Sequence, residues 1–220
     1  MASRVGLAAI LAAVVAGGIA GSASSQPPIG TAMYTVRVDP RLCPSPLCGG
    51  YWVALANRAR TRCADGIVKA RCYVAKAVGE DRHPLEVGVP DGAVVRADIE
   101  SSEYEGIGPL GVLAVAIVFA PAGKAPESGG YYRVVDTGIR CVRAPCFSYR
   151  ATQVNGRTRT TISGVDLRAA RATPAEVARA HAALRTKNGL VARGRFARSA
   201  DGGRVFRASR LYLRAPQPRA

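Results

Sequence analysis

The chain has 220 residues, with 31 Lys and Arg against 15 Asp and Glu, so its formal net charge is +16. A positive field of this size attracts anionic partners. The sequence contains two histidines, six cysteines and no GxSxG, HExxH or phosphate-cradling glycine motif, which argues against an enzyme. We therefore predict a binding protein with no catalytic residues, no metal and no cofactor.

The first 25 residues have the features of a secretory signal peptide. Arg4 precedes the uncharged run VGLAAILAAVVAGGIA at residues 5–20, and small residues follow it. This predicts a secreted or periplasmic protein. The alternative is an uncleaved membrane anchor, because the apolar run nearly reaches the roughly 20 residues that a span needs.

The remainder of the chain contains one pattern twice, about 97 residues apart. The residues Tyr34, Asp39, Cys43, Cys48, Tyr51, Asn57 and Gly66 recur in order as Tyr131, Asp136, Cys141, Cys146, Tyr149, Asn155 and Gly164. One insertion before the first cysteine accounts for the offset, and GAVVRADI at 92–99 matches GLVARGRF at 189–196. We predict a tandem duplication with a first repeat at 34–121, an exposed linker at 122–130 and a second repeat at 131–216.

The first repeat is predicted to be built from strands. Its third strand extends through residues 72–78, and its last two strands cover 93–100 and 111–119. Between them, GEDRHPLEVGVPD at 79–91 contains Pro84, Gly88 and Pro90, which make a helix unfavourable.

The second repeat has a clearer order of elements. Strands are predicted at residues 131–136, 147–154, 160–167, 190–197 and 204–213, with a hairpin turn at Asn155-Gly156. Thr173 and Glu176 form a capping box, with Pro174 at the first position of a helix that ends near 187.

This order of elements is typical of a small five-stranded barrel of the OB type. The predicted fold is therefore mainly β, with two tandem barrel-like repeats and an α-helix between the third and fourth strands of the second. A β-sandwich is the alternative.

The six cysteines fall into three close pairs. Each repeat has a CxxxxC segment with proline inside, and a further pair flanks ADGIVKAR at 64–71 of the first repeat only. We predict disulfides that join Cys43 to Cys48, Cys63 to Cys72 and Cys141 to Cys146, in agreement with an oxidising destination. A four-cysteine zinc site is the less favoured interpretation.

The cysteine segments also resemble a known family. The segments DTGIRCVRAPCFSYRATQVN and DPRLCPSPLCGGYWVALAN are similar to the signature of an uncharacterised family of exported bacterial domains, which carries a GIRCxxxPC-type motif. The resemblance covers most of both repeats, although the first has DPRLC where the second has DTGIRC. It implies export and no known activity.

The charge of the chain is concentrated in the second repeat. Residues 34–121 hold 10 basic and 10 acidic residues, whereas residues 131–216 hold 18 basic and 4 acidic residues, and 17 of those 18 are arginine. A GC-rich genome explains a preference for Arg over Lys, but it does not explain why one repeat has lost its acids. Alternation along strands predicts one ligand-binding face formed by Arg157, Arg159, Arg193, Arg195, Arg204, Arg210 and Arg214. The first repeat is predicted to be a neutral spacer or docking partner.

The expected ligand is an anionic polymer or a protein outside the cytoplasm. Phe196, Phe206 and Tyr212 lie on the same strands and would suit base stacking, but such residues are more often part of a core. Export also makes nucleic acid an unfavoured natural target. We predict a monomer.

The proline-containing cysteine loops suggest a second function. A short loop closed by a disulfide is pre-organised, which lowers the ordering cost of binding. A protein-interaction or protease-inhibitor-like module would present the residues Pro44, Ser45, Pro46 and Leu47 in one loop, and Val142, Arg143, Ala144 and Pro145 in the other. The simpler interpretation is that the loops only fasten the first strand to the second.

Three polar positions have structural interpretations. Asp39 and Asp136 end the first strand of each repeat, where Asx turns are more common than cation sites. His181 is predicted to be half-buried on the helix, between Val177 and Leu184.

Overall fold

A computed structural model describes Gly30 and residues 32–216 of the chain, and the predicted signal peptide lies outside these residues. Within them the protein has fourteen β-strands, one α-helix and one short 3-10 helix. The fold is mainly β, as the sequence predicts. Below, the first half denotes residues 32–122 and the second half residues 130–216.

The first half is composed of eight strands. They are β1 (Ala32–Val38), β2 (Tyr51–Leu55), β3 (Thr61–Arg62), β4 (Val68–Lys69), β5 (Cys72–Val74), β6 (Lys76–Val78), β7 (Val94–Tyr104) and β8 (Gly108–Ala122). The predicted third strand is present but is interrupted at Ala75. The hairpin β3–β4 was not foreseen, and residues 79–91 form no helix, as predicted.

The second half has six strands and both helices. They are β9 (Gly130–Asp136), β10 (Tyr149–Gln153), β11 (Arg159–Ile162), β12 (Gly164–Asp166), the 3-10 helix (Arg168–Ala170), α1 (Pro174–Leu184), β13 (Leu190–Arg198) and β14 (Arg204–Arg214). The strand predicted at 160–167 is divided at Ser163, because the chain leaves β10 there and β12 pairs with β14 instead.

The start of α1 follows the predicted capping box. The Thr173 side chain accepts a hydrogen bond from Glu176 N at 3.3 Å, and Glu176 Oε2 accepts one from Thr173 N at 2.7 Å. Two backbone N–H groups at the helix start thus gain partners. The buried residues Ala180 and Leu184 lie four apart and turn one stripe of the helix toward the core.

One sheet runs through both halves. Its antiparallel pairings follow the open path β11-β10-β9-β13-β14-β8-β7-β1-β2-β5, and β12 and β6 join it by parallel pairing with β14 and β8. The halves meet where β14 pairs with β8, from Leu211 opposite Ala122 to Arg214 opposite Phe119. The linker region therefore does not separate two independent sheets.

The order of strand pairing is the same in the two halves. The pairs β1–β2, β2–β5, β1–β7, β7–β8 and β6–β8 correspond to β9–β10, β10–β11, β9–β13, β13–β14 and β12–β14. Val38 faces Tyr51 as Asp136 faces Tyr149, so the first two strands are related by a uniform shift of 98 residues. The insertion predicted before the first cysteine is therefore wrong.

The two halves differ in length at a later point, between the second and third strands. Tyr51 faces Val74, whereas Tyr149 faces Ile162, so the chain between these partners is ten residues longer in the first half. The extra residues form the β3–β4 hairpin, which the Cys63–Cys72 disulfide closes.

Each half has its own hydrophobic core. In the first half, Val36, Val53, Val95 and Leu113 belong to one buried cluster, and in the second, Val134, Ile162, Phe206 and Leu211 belong to another. A third cluster of Val94, Val191 and Tyr212 lies at the junction of the halves, where Met33, Phe119 and Tyr131 pack against it.

Two asparagines join the halves reciprocally. Asn57 Oδ1 accepts from Tyr131 N at 2.8 Å, and Asn57 Nδ2 donates to Tyr131 O and Val154 O at 2.7 and 2.9 Å. Asn155 Oδ1 accepts from Met33 N at 2.9 Å, and Asn155 Nδ2 donates to Met33 O and Ala56 O at 2.6 and 2.9 Å.

The hairpin turn predicted at Asn155-Gly156 is present, as part of a longer loop between β10 and β11. β10 ends at Gln153 and β11 begins at Arg159, and Gln153 N donates a hydrogen bond to Thr158 O across the loop between them. Both asparagines have positive φ, at 60° and 53°, a backbone region that Asn tolerates better than most residues.

The predicted exposed linker is also wrong. Ala125 is buried, and the backbone N–H groups of Lys124 and Ala125 donate to Ala170 O at 3.0 and 3.2 Å. Ser128 exchanges hydrogen bonds with the Ser209 hydroxyl. A Gly- and Pro-rich composition fits a flexible linker, but here the backbone groups find partners on the second half.

The structure contains three disulfides, which pair Cys43 with Cys48, Cys63 with Cys72 and Cys141 with Cys146 as predicted. They indicate an oxidising environment for the folded chain. Among Gly30 and residues 32–216, no helix has the length and apolar character that a membrane crossing requires.

Candidate anion-binding surface

Two of the predicted ligand-binding arginines are engaged within the protein. Arg193 Nη1 donates to Glu127 Oε2 at 2.6 Å, and the Arg193 guanidinium lies 5.0 Å from the Tyr131 ring centre. Arg210 Nη2 donates to Ala125 O at 2.9 Å, and Arg210 Nε lies 3.6 Å from Glu127 Oε1. Because both side chains hold the 123–129 segment against the sheet, they do not form an open binding face.

A β-bulge separates other members of the predicted set. Arg193 faces Arg210 but Gly194 faces Ala208, so Ser209 is an extra residue in β14. Phe206 and Ala208 point to the core before the bulge, and Leu211 and Leu213 do so after it. Arg204 therefore lies on the opposite face of β14 from Arg210 and Arg214, although simple alternation predicts one face.

The remaining predicted arginines lie in different places. Arg157 and Arg159 are exposed at the β10–β11 loop and the start of β11. Arg195 is exposed and faces the exposed Arg207 across β13 and β14. Arg214 ends β14, where its carbonyl oxygen accepts a hydrogen bond from Arg179 Nη2 at 3.1 Å.

Three exposed arginines lie together on the outward side of β9, β10 and β11, and we name Arg133, Arg150 and Arg159 the basic face. Thr152 on β10 faces Arg133 on β9 and Arg159 on β11, while Arg150 lies two residues from Thr152 on the same side. Ala151, between them, points into the core. Arg133 and Arg150 were missed from the sequence, although the alternation argument applied to β9 and β10 would have found them.

The corresponding surface of the first half is different. By strand register, Thr35 and Trp52 occupy the places of Arg133 and Arg150, and Arg71, directly before β5, is the residue that follows in the direction of Arg159. The Arg71 guanidinium lies 5.5 Å from the Trp52 ring centre. The basic face is therefore a property of the second half.

The aromatic residues of the second half belong to the interior. Phe206 and Tyr212 are 0% and 1% exposed, and Phe196 packs against Tyr132 and Phe206 with ring centres 5.0 and 5.5 Å apart. Burial raises the pKa of Tyr212. The base-stacking interpretation is wrong for Phe206 and Tyr212, because a buried ring cannot stack on a base.

The two short disulfide loops expose apolar side chains. Leu42 and Val142 are fully exposed, and Leu47, Ile139 and Phe147 are exposed beside them. Arg143 is exposed as well, as are Pro44, Ser45 and Ala144, while Pro46 and Pro145 are half-buried and follow cis peptide bonds.

An aspartate supports the base of each loop. Asp39, only 4% exposed, accepts from Arg41 N at 3.3 Å, from Arg41 Nη2 at 2.8 Å and from Trp52 Nε1 at 3.3 Å. Asp136 accepts from Gly138 N at 2.8 Å and from Arg140 Nη2 at 2.9 Å. The predicted Asx turns are confirmed, and each carboxylate is also paired with an arginine.

These contacts set the acidity of the carboxyl groups. The hydrogen bonds from Arg41 lower the pKa of Asp39 to about 2, against the opposing effect of burial. The side-chain hydrogen bond from Arg140 and the backbone hydrogen bond from Gly138 lower the pKa of Asp136. Both groups are held as carboxylates at neutral pH.

The histidines do not form a site within the described part of the chain. His181 is exposed, because Ala180 and Leu184 occupy the buried stripe of α1, so the predicted half-burial is wrong. His83 is exposed in the 79–91 loop. Residues 32–216 contain no group of three or more His, Cys, Asp or Glu residues arranged to hold a metal.

Comparison with known families gives one match, which covers most of the chain. A model of a domain of unknown function, DUF6748, matches residues 32–218. The chain belongs to the DUF6748 family. The match spans both halves of the DUF6748 chain and the segment between them, so the family domain is the pair of halves. No curated protein and no solved structure matches this chain.

Proposed function

We propose that this DUF6748 protein is an exported binding module whose second half holds anionic polymers of the cell envelope or the extracellular medium. The observation that carries the proposal is the basic face, where Arg133, Arg150 and Arg159 lie on the same side of three neighbouring strands. Several guanidinium groups on one surface suit the repeated phosphates or carboxylates of such polymers.

The order of strand pairing supports an OB-type barrel in each half. The same order in both halves supports their origin by duplication. The first strand lies between the second and the fourth, the fourth pairs with the fifth, and the end of the third runs parallel to the fifth. In OB barrels the face over the second and third strands binds oligonucleotides and oligosaccharides. Arg150 and Arg159 occupy that face.

The nature of the residues around the basic face favours a polymer other than nucleic acid. Its neighbours on β10 and β11 are threonines, Thr152 and Thr161, rather than aromatic rings. Hydroxyl and guanidinium groups hydrogen-bond sugars and phosphates but provide no stacking platform. Binding is thus expected to follow charge and to weaken as salt increases.

The test is a binding assay of the full chain with fluorescently labelled lipopolysaccharide, teichoic acid and DNA over a salt series. We expect Arg150→Gln with Arg159→Gln to weaken envelope-polymer binding by about 10-fold or more and to flatten its salt dependence. The control pair, Arg168→Gln with Arg198→Gln, removes the same charge from exposed positions elsewhere. An equal loss in both pairs would mean that only net charge matters and would refute a dedicated face.

A second candidate function rests on the exposed apolar tips of the disulfide loops. Leu42, directly before the first loop, and Val142, within the second, are fully exposed, so a partner can reach both side chains. A protease-inhibitor-like module would lose potency on Leu47→Asp or Arg143→Glu while its melting temperature stays unchanged. Absence of inhibition across serine and metalloprotease panels would exclude it.

A further inference from the structure

A cleft of about 460 Å³ opens at the junction of the two halves. Its walls include Met33, Arg58, Arg96, Ile117 and Phe119 from the first half, and Arg133, Thr152, Gln153, Val154, Asn155, Gly156, Arg157, Asn188 and Val191 from the second. The volume falls within the range of small-molecule sites in proteins. Neither half alone forms this cleft.

The polar part of the cleft is entirely cationic or neutral. Four arginines, Arg58, Arg96, Arg133 and Arg157, line it, and none of its lining residues is acidic. Arg58 is fixed in place, because its Nε and Nη2 donate to Asn155 O at 3.1 and 2.5 Å. Asp98, two residues beyond Arg96 on β7, accepts a hydrogen bond from Gly30 N at 2.8 Å and is not part of the lining.

Two of the four arginines, Arg96 and Arg133, lie on strands of different halves and so reach the cleft from different walls. Arg96 lies on β7 between Met33 of β1 and Ile117 of β8, and Arg133 lies on β9 opposite Val191 of β13. Each half thus contributes two of the four guanidinium groups, and an anion between them gains from the summed field.

The inner part of the cleft is apolar. Met33 and Phe119 pack against the buried Val191 and Tyr212 of the junction cluster, and Ile117 is 9% exposed. An apolar interior beneath a cationic rim suits a ligand that has an apolar body and an anionic group at one end.

We propose that the cleft binds an amphiphilic organic anion, with its phosphate or sulfate group among the four arginines and its hydrocarbon portion over Met33, Ile117 and Phe119. This site adjoins the basic face and shares Arg133 with it, but Arg58, Arg96 and the apolar interior belong to the first half and the junction, and Arg150 and Arg159 do not line the cleft. It also gives the first half a direct role in binding.

The test uses alkyl phosphates as probes, with isothermal titration calorimetry on the full chain below the critical micelle concentrations. We expect the affinity to rise by about 2- to 4-fold for each methylene from ethyl to octyl phosphate, because each buried methylene adds hydrophobic free energy. Inorganic phosphate and octyl glucoside supply the anionic and apolar parts separately, and each is expected to bind at least 10-fold more weakly than octyl phosphate.

Variants locate the binding in the cleft. Arg96→Gln is expected to weaken octyl phosphate binding by about 5-fold or more while the melting temperature stays unchanged, and Arg96→Lys to restore part of it. Arg150→Gln with Arg159→Gln is the control and is expected to leave octyl phosphate binding within 2-fold. If the chain with Arg150→Gln and Arg159→Gln loses envelope-polymer binding but still binds octyl phosphate, the cleft and the polymer-binding surface act independently.

Three results would overturn the proposal. They are an affinity that does not rise with chain length, an Arg96→Gln variant that binds as tightly as the unaltered chain, and no binding of octyl phosphate at 1 mM.

Discussion

At the scale of single residues, Asp39 shows how one side chain organises a loop. It accepts hydrogen bonds from the Arg41 backbone and guanidinium and from the Trp52 indole, and Arg41 Nη2 also donates to Leu47 O at 3.0 Å. The Arg41 guanidinium lies 5.3 and 5.2 Å from the ring centres of Trp52 and Tyr73. One carboxylate thus connects the Cys43–Cys48 loop to β2 and β5.

The charge of Asp39 makes stability depend on pH in acid. The folded pKa of about 2 lies below the ordinary aspartate pKa of about 3.9. The stabilisation from the carboxylate is therefore fully present above about pH 4 and is lost as the pH falls from about 4 to about 2.

We expect Asp39→Asn to be less stable at neutral pH and to lose less stability than the unaltered chain between pH 4 and pH 2. Urea unfolding monitored by Trp52 fluorescence across that range measures the difference. Glu105→Gln, an exposed change in the β7–β8 turn, is the control and should leave the pH profile unchanged. Parallel profiles for Asp39→Asn and the unaltered chain would contradict the assignment.

At the scale of elements, local sequence signals predicted the helix and most strands, but not where strands are interrupted. The capping box and the apolar stripe of α1 depend on residues three and four apart, so they are readable from the sequence. The bulges between Arg96 and Ala97 and between Arg193 and Gly194 have no local signature. They occur at matching positions in the two halves and reverse which residues face outward.

The cap of α1 gives a prediction at this scale. Thr173→Ala removes the side-chain acceptor of Glu176 N, so the free energy of unfolding should fall by about 1 kcal/mol. Chemical denaturation with far-ultraviolet circular dichroism measures it. Thr158→Ala, at an exposed loop position, is the matched control and should change stability by less than about 0.5 kcal/mol. Equal effects of the two substitutions would argue against the cap.

At the scale of the whole molecule, the halves are joined by one sheet, one shared apolar cluster and two asparagines. Asn57 of the first half hydrogen-bonds the backbone of Tyr131 in β9, and Asn155 of the second half hydrogen-bonds the backbone of Met33 in β1. Burial of Tyr212 and Val191 at the same junction adds apolar contact. We therefore expect the two halves to unfold together.

The junction can be tested with single asparagine substitutions. Asn57→Ala or Asn155→Ala removes three hydrogen bonds, so each should lower the free energy of unfolding by about 2–4 kcal/mol. Asn188→Ala, at an exposed position before β13, should change it by less than about 0.5 kcal/mol. Calorimetry should show one transition in the unaltered chain. Two separate transitions there would show that the halves are independent.

The sequence alone determined the mainly β fold, the disulfide pairs, the helix with its cap and the excess of arginine in the second half. Each of these depends on residues close together in the chain or on composition, because hydrogen bonds of caps and turns and the alternation of strands are local. The tertiary structure decided which arginines are exposed and which are engaged within the protein. Glu127 engages Arg193 and Arg210, the Ser209 bulge turns Arg204 away, and register aligns Arg133, Arg150 and Arg159. It also formed the cleft and the asparagine junction, whose partners lie 74 to 122 residues apart in the chain. Contacts at such separations depend on how the whole sheet is assembled, so no short stretch of sequence encodes them.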